Sequence, residues 1–388
     1  MLGYVLGKRR WPIALDIGTE SIRMLQMRPA GGGLAVRACG RRRLPASAPR
    51  EGQAWRQLVA DAARELLHEG DFRGRRVASA LSCNDLKIKN VRLPNLPADE
   101  LDEAVRWEAK ERFGCDLAPD QLYYLRAGQV RQGTDPTQEI ILVAAPGEVV
   151  DAHLSLLADI ALRPEHIEAE PVALFRPFER MLRRRADEGA VTVVVDLGYS
   201  ATRVVVARGR QIVLIKAIGI GGRRFTEAVA KQLNISFEEA GELREQIVRE
   251  QGGDRARGGS AGGQGDPNSV SWTILDALRG DVEELAREIA LCLRYCSVTF
   301  RGLRPKRVTI VGGQARDRAM VRLLSEQLGV ECLLGQPLKG IDTSGVDFES
   351  DRRGMLAEWN VCVGLALRSA EPETESPRSS HGRHRLSA

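Results

Sequence analysis

Two segments about 180 residues apart carry the same pattern, and this internal echo limits the fold more than any other feature. Each is an apolar run ending in Asp-x-Gly, then small polar residues, then a second run of strand-like alternation. The first is Pro12 to Gly18 followed by Ser21 to Met27; the second is Val191 to Gly198 followed by Ala201 to Ala207. Strand, glycine turn and strand make a β-hairpin. With 388 residues, roughly two or three domains are expected, so each hairpin should belong to its own domain.

The hairpin tips have the chemistry of phosphate binding. Gly18 and Gly198 let backbone N–H groups come close to an anion, because glycine has no Cβ and tolerates left-handed geometry. Thr19, Ser21, Ser200 and Thr202 add hydroxyl donors. Asp16 and Asp196, at the strand ends, are placed to support Mg²⁺ through water, as that ion prefers. Two such hairpins facing each other would clamp a triphosphate.

Three further motifs lie between or after them. Glu170-Pro171 opens a helix between the two halves, where a carboxylate can orient the water attacking a γ-phosphate. Gly312-Gly313 ends a strand and permits close approach to a flat ring, with Arg316 placed to stack on adenine. Ile218 to Gly222 contains Gly-Ile-Gly-Gly, but Arg224 stands where a dinucleotide fingerprint needs its third glycine.

The remaining composition mostly excludes. No apolar run approaches the roughly 18–20 residues of a membrane span, and the start of the chain lacks the layout of a signal peptide. Seven scattered cysteines without a CxxC predict reduced thiols and no zinc site. A net charge of +5 is spread along the chain with few aromatics, which argues against nucleic acid. Helical spacing covers 55–68, 98–113, 148–160, 225–233, 236–249 and 281–300, and strands are expected over 75–82, 139–145 and 307–311. The Gly-rich 252–268 and the Pro/Ser/Arg-rich 371–388 are expected to be disordered.

In this order the motifs resemble the actin-like ATPase superfamily, and more closely the PilM family of type IV pilus assembly proteins, whose relative in cell division is FtsA. The resemblance runs over about 12–368 and is carried by Leu93-Pro94 with Glu100 to Ala109, Asp151 to Leu162, and Glu168 to Pro171. Ile218 to Gly222 with Phe225-Thr226, and Val311 to Gly313, complete it. It implies an α/β, actin-like (ribonuclease H-like) two-domain fold with an inserted α+β subdomain of the PilM/FtsA kind. The implied division is 1–83 and 163–190 for subdomain 1A, the latter its connecting helix, with 84–162 inserted as 1C. Domain 2 (2A/2B) then covers 191–356, and a C-terminal helix at 357–370 returns to 1A.

The resemblance also implies ATP with Mg²⁺ in the interdomain cleft, slow or absent hydrolysis, and nucleotide contacts from Gly221, Gly222 and Arg244. The family's Ala-Glu-x-Leu-Lys element reads Ala240-Gly241-Glu242-Leu243-Arg244 here, so one ribose-facing acid is missing. Arg23 stands where lysine is frequent. The implied partner is the cytoplasmic tail of a PilN-type bitopic inner-membrane protein, with self-association also compatible. The chain would then be cytoplasmic and peripheral on the inner membrane. The alternative is a sugar- or carboxylate-kinase-like enzyme of the same superfamily.

Overall fold

Both Asp-x-Gly hairpins form, and each sits in the middle of its own sheet. The computed structural model describes residues 11–45, 48–115, 117–118, 120–132, 135–253, 270–300, 305–348 and 355–369. The first half of the chain gives β1 (Ile13–Ile17), β2 (Ser21–Ala30), β3 (Gly33–Arg43), α1 (Gly52–Glu69), β4 (Arg76–Leu81), β5 (Lys87–Pro94), α2 (Ala98–Phe113), β6 (Leu122–Gln132), β7 (Asp135–Ala144), α3 (Gly147–Asp159), β8 (Arg163–Ala169) and α4 (Glu170–Glu179). The second gives β9 (Val191–Leu197), β10 (Thr202–Arg208), β11 (Gln211–Ile218), α5 (Gly222–Leu233), α6 (Phe237–Gly253), α7 (Val270–Thr299), β12 (Arg307–Val311), α8 (Arg318–Leu328), β13 (Glu331–Leu334), β14 (Ile341–Asp342) and α9 (Asn360–Arg368).

The sheets explain the sequence echo. The first has the order β14-β3-β2-β1-β4-β8 and the second β11-β10-β9-β12-β13. In both, three antiparallel strands are followed by two parallel ones. The central strands read as nearly unbroken apolar runs because both faces are covered. Val193 to Val195 and Val204 to Ala207 are almost completely buried.

Helices α4 and α9 pack together between the two sheets, within one core that includes Ala14, Ala78, Leu174, Val195, Val205 and Cys362. A second core, on the other face of the first sheet, joins Ile13, Leu15 and Met24 to α1 and α3. A third is centred on β5, α2 and β7, around Val91, Leu101, Val105 and Ile140, with Leu122 and Tyr124 of β6 packed against it.

Several elements differ from expectation. The inserted block holds a three-stranded antiparallel sheet, β5-β7-β6, where one strand was expected. In β5, charged and apolar side chains alternate because one face is exposed, and this short Lys/Arg-rich run carries little apolar signal. The α3 helix, at the end of the same block, packs on α1 and β8. Helix α7 begins eleven residues earlier than expected, since Ile274 and Leu278 continue the four-residue apolar spacing of Val282. Strand β14 already rejoins the first sheet at Ile341, before the expected return at 357. Helix α6 extends to Gly253; the rest of the 252–268 segment, and the 371–388 tail, lie outside the described residues.

Candidate functional site

The two hairpin tips face each other across a cleft between the sheets. Gly18 N–H donates to Ser21 O at 3.1 Å to close the first turn, and a Cβ on Gly18 would lie 2.9 Å from that same oxygen. The register then sets Asp16 directly opposite Arg23, and in the second hairpin Asp196 directly opposite Arg203. Each aspartate is paired with its own arginine: Arg23 Nη1 to Asp16 Oδ2 at 3.4 Å, and Arg203 Nη1 to Asp196 Oδ2 at 3.1 Å. Burial pushes the Asp16 carboxyl up against the pull of Arg23, and the negative charge of Asp196 adds to the rise. The two tips therefore sense each other electrostatically.

Glu170 lies at the first turn of α4, where the helix dipole favours a carboxylate. It is buried, and its Oε2 accepts the Cys83 N–H at 2.8 Å. Arg203 Nε lies 2.9 Å from the same oxygen, an ion pair whose N–H is not aligned for a hydrogen bond. Burial pushes the Glu170 carboxyl up to about 7, opposed by Arg203; the Arg203 guanidinium, held between two acids, is raised. Asp196, Arg203 and Glu170 thus form one buried charge chain linking the second hairpin to the hinge helix.

Two cavities flank the tips. The smaller, about 410 Å³, is lined by Gly241, Arg244, Gly313 and Arg316, and also by Glu20 and Tyr199. The larger, about 1470 Å³, is lined by Gly18, Thr19, Ser200 and Arg203 and extends toward α1 and α3. The Ser200 hydroxyl, in the lining of the larger cavity, and the Ser21 hydroxyl, which lines neither cavity, are buried without a hydrogen-bond partner among the described residues. The smaller cavity is densely charged, its lining carrying six arginines and six carboxylates. Arg41 is lowered to about 10 by burial and by neighbouring Arg23, Arg43 and Arg316.

The other expected residues divide into lining and support. Gly312 has φ +95°, and a Cβ there would lie 2.3 Å from Asp196 Oδ1, so only glycine fits this approach to the second hairpin. Gly221 and Gly222 brace the hairpin from below: Gly222 N–H donates to Gly198 O at 3.0 Å, and a Cβ on Gly221 would meet Tyr199 O at 2.6 Å. Arg244 donates to Gly222 O, Thr226 Oγ1 and Gln314 Oε1, tying α6 to both glycine turns. Thr202 is not brought to the site. Its hydroxyl, fully buried, donates to Ile220 O at 2.7 Å and fixes β10 to the next turn.

Magnesium supported by Asp16 and Asp196 does not fit this donor set, since a guanidinium already engages each carboxylate. Among the described residues no group of three or more His, Cys, Asp or Glu is placed to hold a metal ion. Sequence reading missed Arg203, although the same Asp-x6-Arg spacing in both hairpins is visible once they are aligned. It also missed the contacts that span the cleft: Arg43 pairs with Glu245, and the Arg50 guanidinium lies 5.7 Å from the Tyr199 ring. No local pattern connects residues some 150–200 positions apart.

Comparison with known proteins agrees with this fold. The family model described as Type IV pilus assembly protein PilM matches residues 14–251, and that of cell division protein FtsA matches 193–348. Among solved structures, a PilM-PilN type IV pilus biogenesis complex aligns with TM-score 0.73 and 27% identity, covering 94% of this chain and 100% of the other. The ethanolamine utilization protein EutJ from Carboxydothermus hydrogenoformans aligns with TM-score 0.51 and 15% identity, over 92% and 89% of the two chains. The second likeness concerns the fold alone.

Proposed function

Since the chain belongs to the PilM family of type IV pilus assembly proteins, we propose that it is an actin-like scaffold that binds ATP in its cleft and docks a PilN-type membrane protein. The observation that carries the nucleotide half is the pairing of two opposed Asp-x-Gly hairpins with a cavity lined by Gly313, Arg316 and Arg244. The tips would take the phosphates, with Gly18, Thr19, Ser21, Gly198 and Ser200 nearest to them. The smaller cavity would take the nucleoside, with Arg316 against the base. ATP would favour closure through contacts that only the closed cleft supplies. Magnesium held by the two aspartates is not part of this reading.

The partner half rests on family membership and on the inserted unit. The β5-β7-β6 sheet and α2 have their own core, and α2 carries Trp107 on the surface, 64% exposed. The other face of this sheet packs on the main core through Ala127, Ile141 and Val143, which leaves α2 as the outward surface offered to a partner. The subdomain division 1A, 1C and 2 belongs to the same reading. In it, the chain works in the cytoplasm against the inner membrane, held there by its partner. Among the described residues no helix is long and apolar enough to cross a membrane. Hydrolysis would be slow or absent.

Calorimetry with ATP, followed by capture of a PilN-type cytoplasmic peptide with and without nucleotide, tests both halves. No heat of binding with ATP in any buffer refutes the first; bound ATP with no peptide capture refutes the second.

A further inference from the structure

We propose that Arg203 is a built-in cation of the phosphate site, standing where a divalent metal would otherwise be needed, so that nucleotide binds without magnesium. The inference rests on the nucleotide reading above and asks what supplies its positive charge. Arg203 lies opposite Asp196 in the β9–β10 ladder, with Nη1 3.1 Å from Asp196 Oδ2 and Nε 2.9 Å from Glu170 Oε2. One guanidinium therefore bridges two carboxylates from two different elements, as a metal ion would.

Its position under the turn gives it a role beyond pairing. A Cβ on Gly198 would come within 2.6 Å of Arg203 Nη1, so the guanidinium packs directly against the turn glycine. Arg203 is 9% exposed, yet it lines the larger cavity beside Ser200. A phosphate laid over the second hairpin would thus rest above a fixed positive charge. Arg23 repeats the arrangement in the first hairpin, opposite Asp16.

This cation cannot make way for a metal cheaply. Arginine does not lose its proton in proteins, so it would have to swing out. Doing so would strand Asp196 and Glu170 as buried, unpaired carboxylates, a costly state. Glu170 is further fixed by the Cys83 N–H. Both contacts fall on Glu170 Oε2, so they fix the carboxylate's orientation through one oxygen.

The test is ATP titration of the full chain by calorimetry, once with magnesium chloride and once with EDTA. The wild type should bind in both, with affinities within about threefold. Arg203→Gln should become magnesium-dependent, losing about tenfold or more on chelation. Arg203→Lys, which keeps a cation, should still bind in EDTA and serves if the glutamine variant does not fold. A tenfold or larger loss in the wild type on chelation overturns the inference. So does an Arg203→Gln variant that binds equally well in both buffers. Absence of binding in either buffer overturns the nucleotide reading itself, a result distinct from failure in EDTA alone.

Discussion

Replacing Gly364 with alanine adds one methyl group where α9 crosses α4 and leaves no room for it. A Cβ at 364 would lie 1.8 Å from Ala173 O, 2.7 Å from Ala173 C and 3.2 Å from Ala173 Cα. Non-bonded contact needs about 3.5 Å, so the helices must part by about 1.5 Å or more. The atoms struck are backbone, and no rotamer change relieves them. Overpacking of this kind costs about 1–3 kcal/mol. Parting also stretches the bond from Arg176 Nη1 to Gly364 O, now 2.9 Å, and loss of a charged hydrogen bond costs about 1.5–3 kcal/mol. Alanine returns about 0.5–1 kcal/mol through its better helix propensity. The net loss should be about 2–5 kcal/mol, read as a lower urea midpoint at unchanged slope. Because α4 begins at Glu170, the same shift should also disturb its contact with Arg203 and weaken ATP binding. Gly345→Ala, with nothing within 4 Å of the added atom, is the control and should change stability by less than about 0.5 kcal/mol. If Gly364→Ala matches that control, the close helix crossing does not hold the hinge.

Two further outcomes follow from the buried groups. The Glu170 carboxyl is raised by burial to about 7, above its ordinary 4.5, so ionising it costs the fold stability as pH rises from about 4.5 through 7. Relative to Glu170→Gln, the wild type should therefore lose up to about 3 kcal/mol across that window and little beyond it, measured by urea midpoints at successive pH values; a flat difference refutes the shift. Burial also pushes the Cys83 and Cys296 thiols up to about 12, so alkylation of the native chain at pH 8 should spare both while modifying half-buried Cys115. Labelling of Cys83 at the rate of Cys115, followed by mass spectrometry, would contradict the packing around Glu170.

The sequence by itself determined the elements whose signal is local. Strands β1, β2, β9 and β10 were legible because apolar runs bounded by Asp-x-Gly turns need no distant information. Helix α2 was readable to its ends, where Pro97 precedes it and the left-handed Gly114 closes it. The duplication predicted two equivalent hairpins, and the matching strand order of the two sheets carries it. Strand β3 was missed, since its Arg41-Arg42-Arg43 end reads as a charged surface run; in the fold Arg41 and Arg43 line the smaller cavity. The roles of Thr202, Gly221 and Arg203 were decided only in three dimensions. Which way a threonine hydroxyl turns, or which carboxylate receives a guanidinium, depends on the strand register and on groups brought in from elsewhere in the chain. Glu170 and Arg203 are 33 residues apart and meet only because α4 packs against β10 between the two sheets. Burial, which raises the Glu170 carboxyl, is a property of that packing and has no sequence signature.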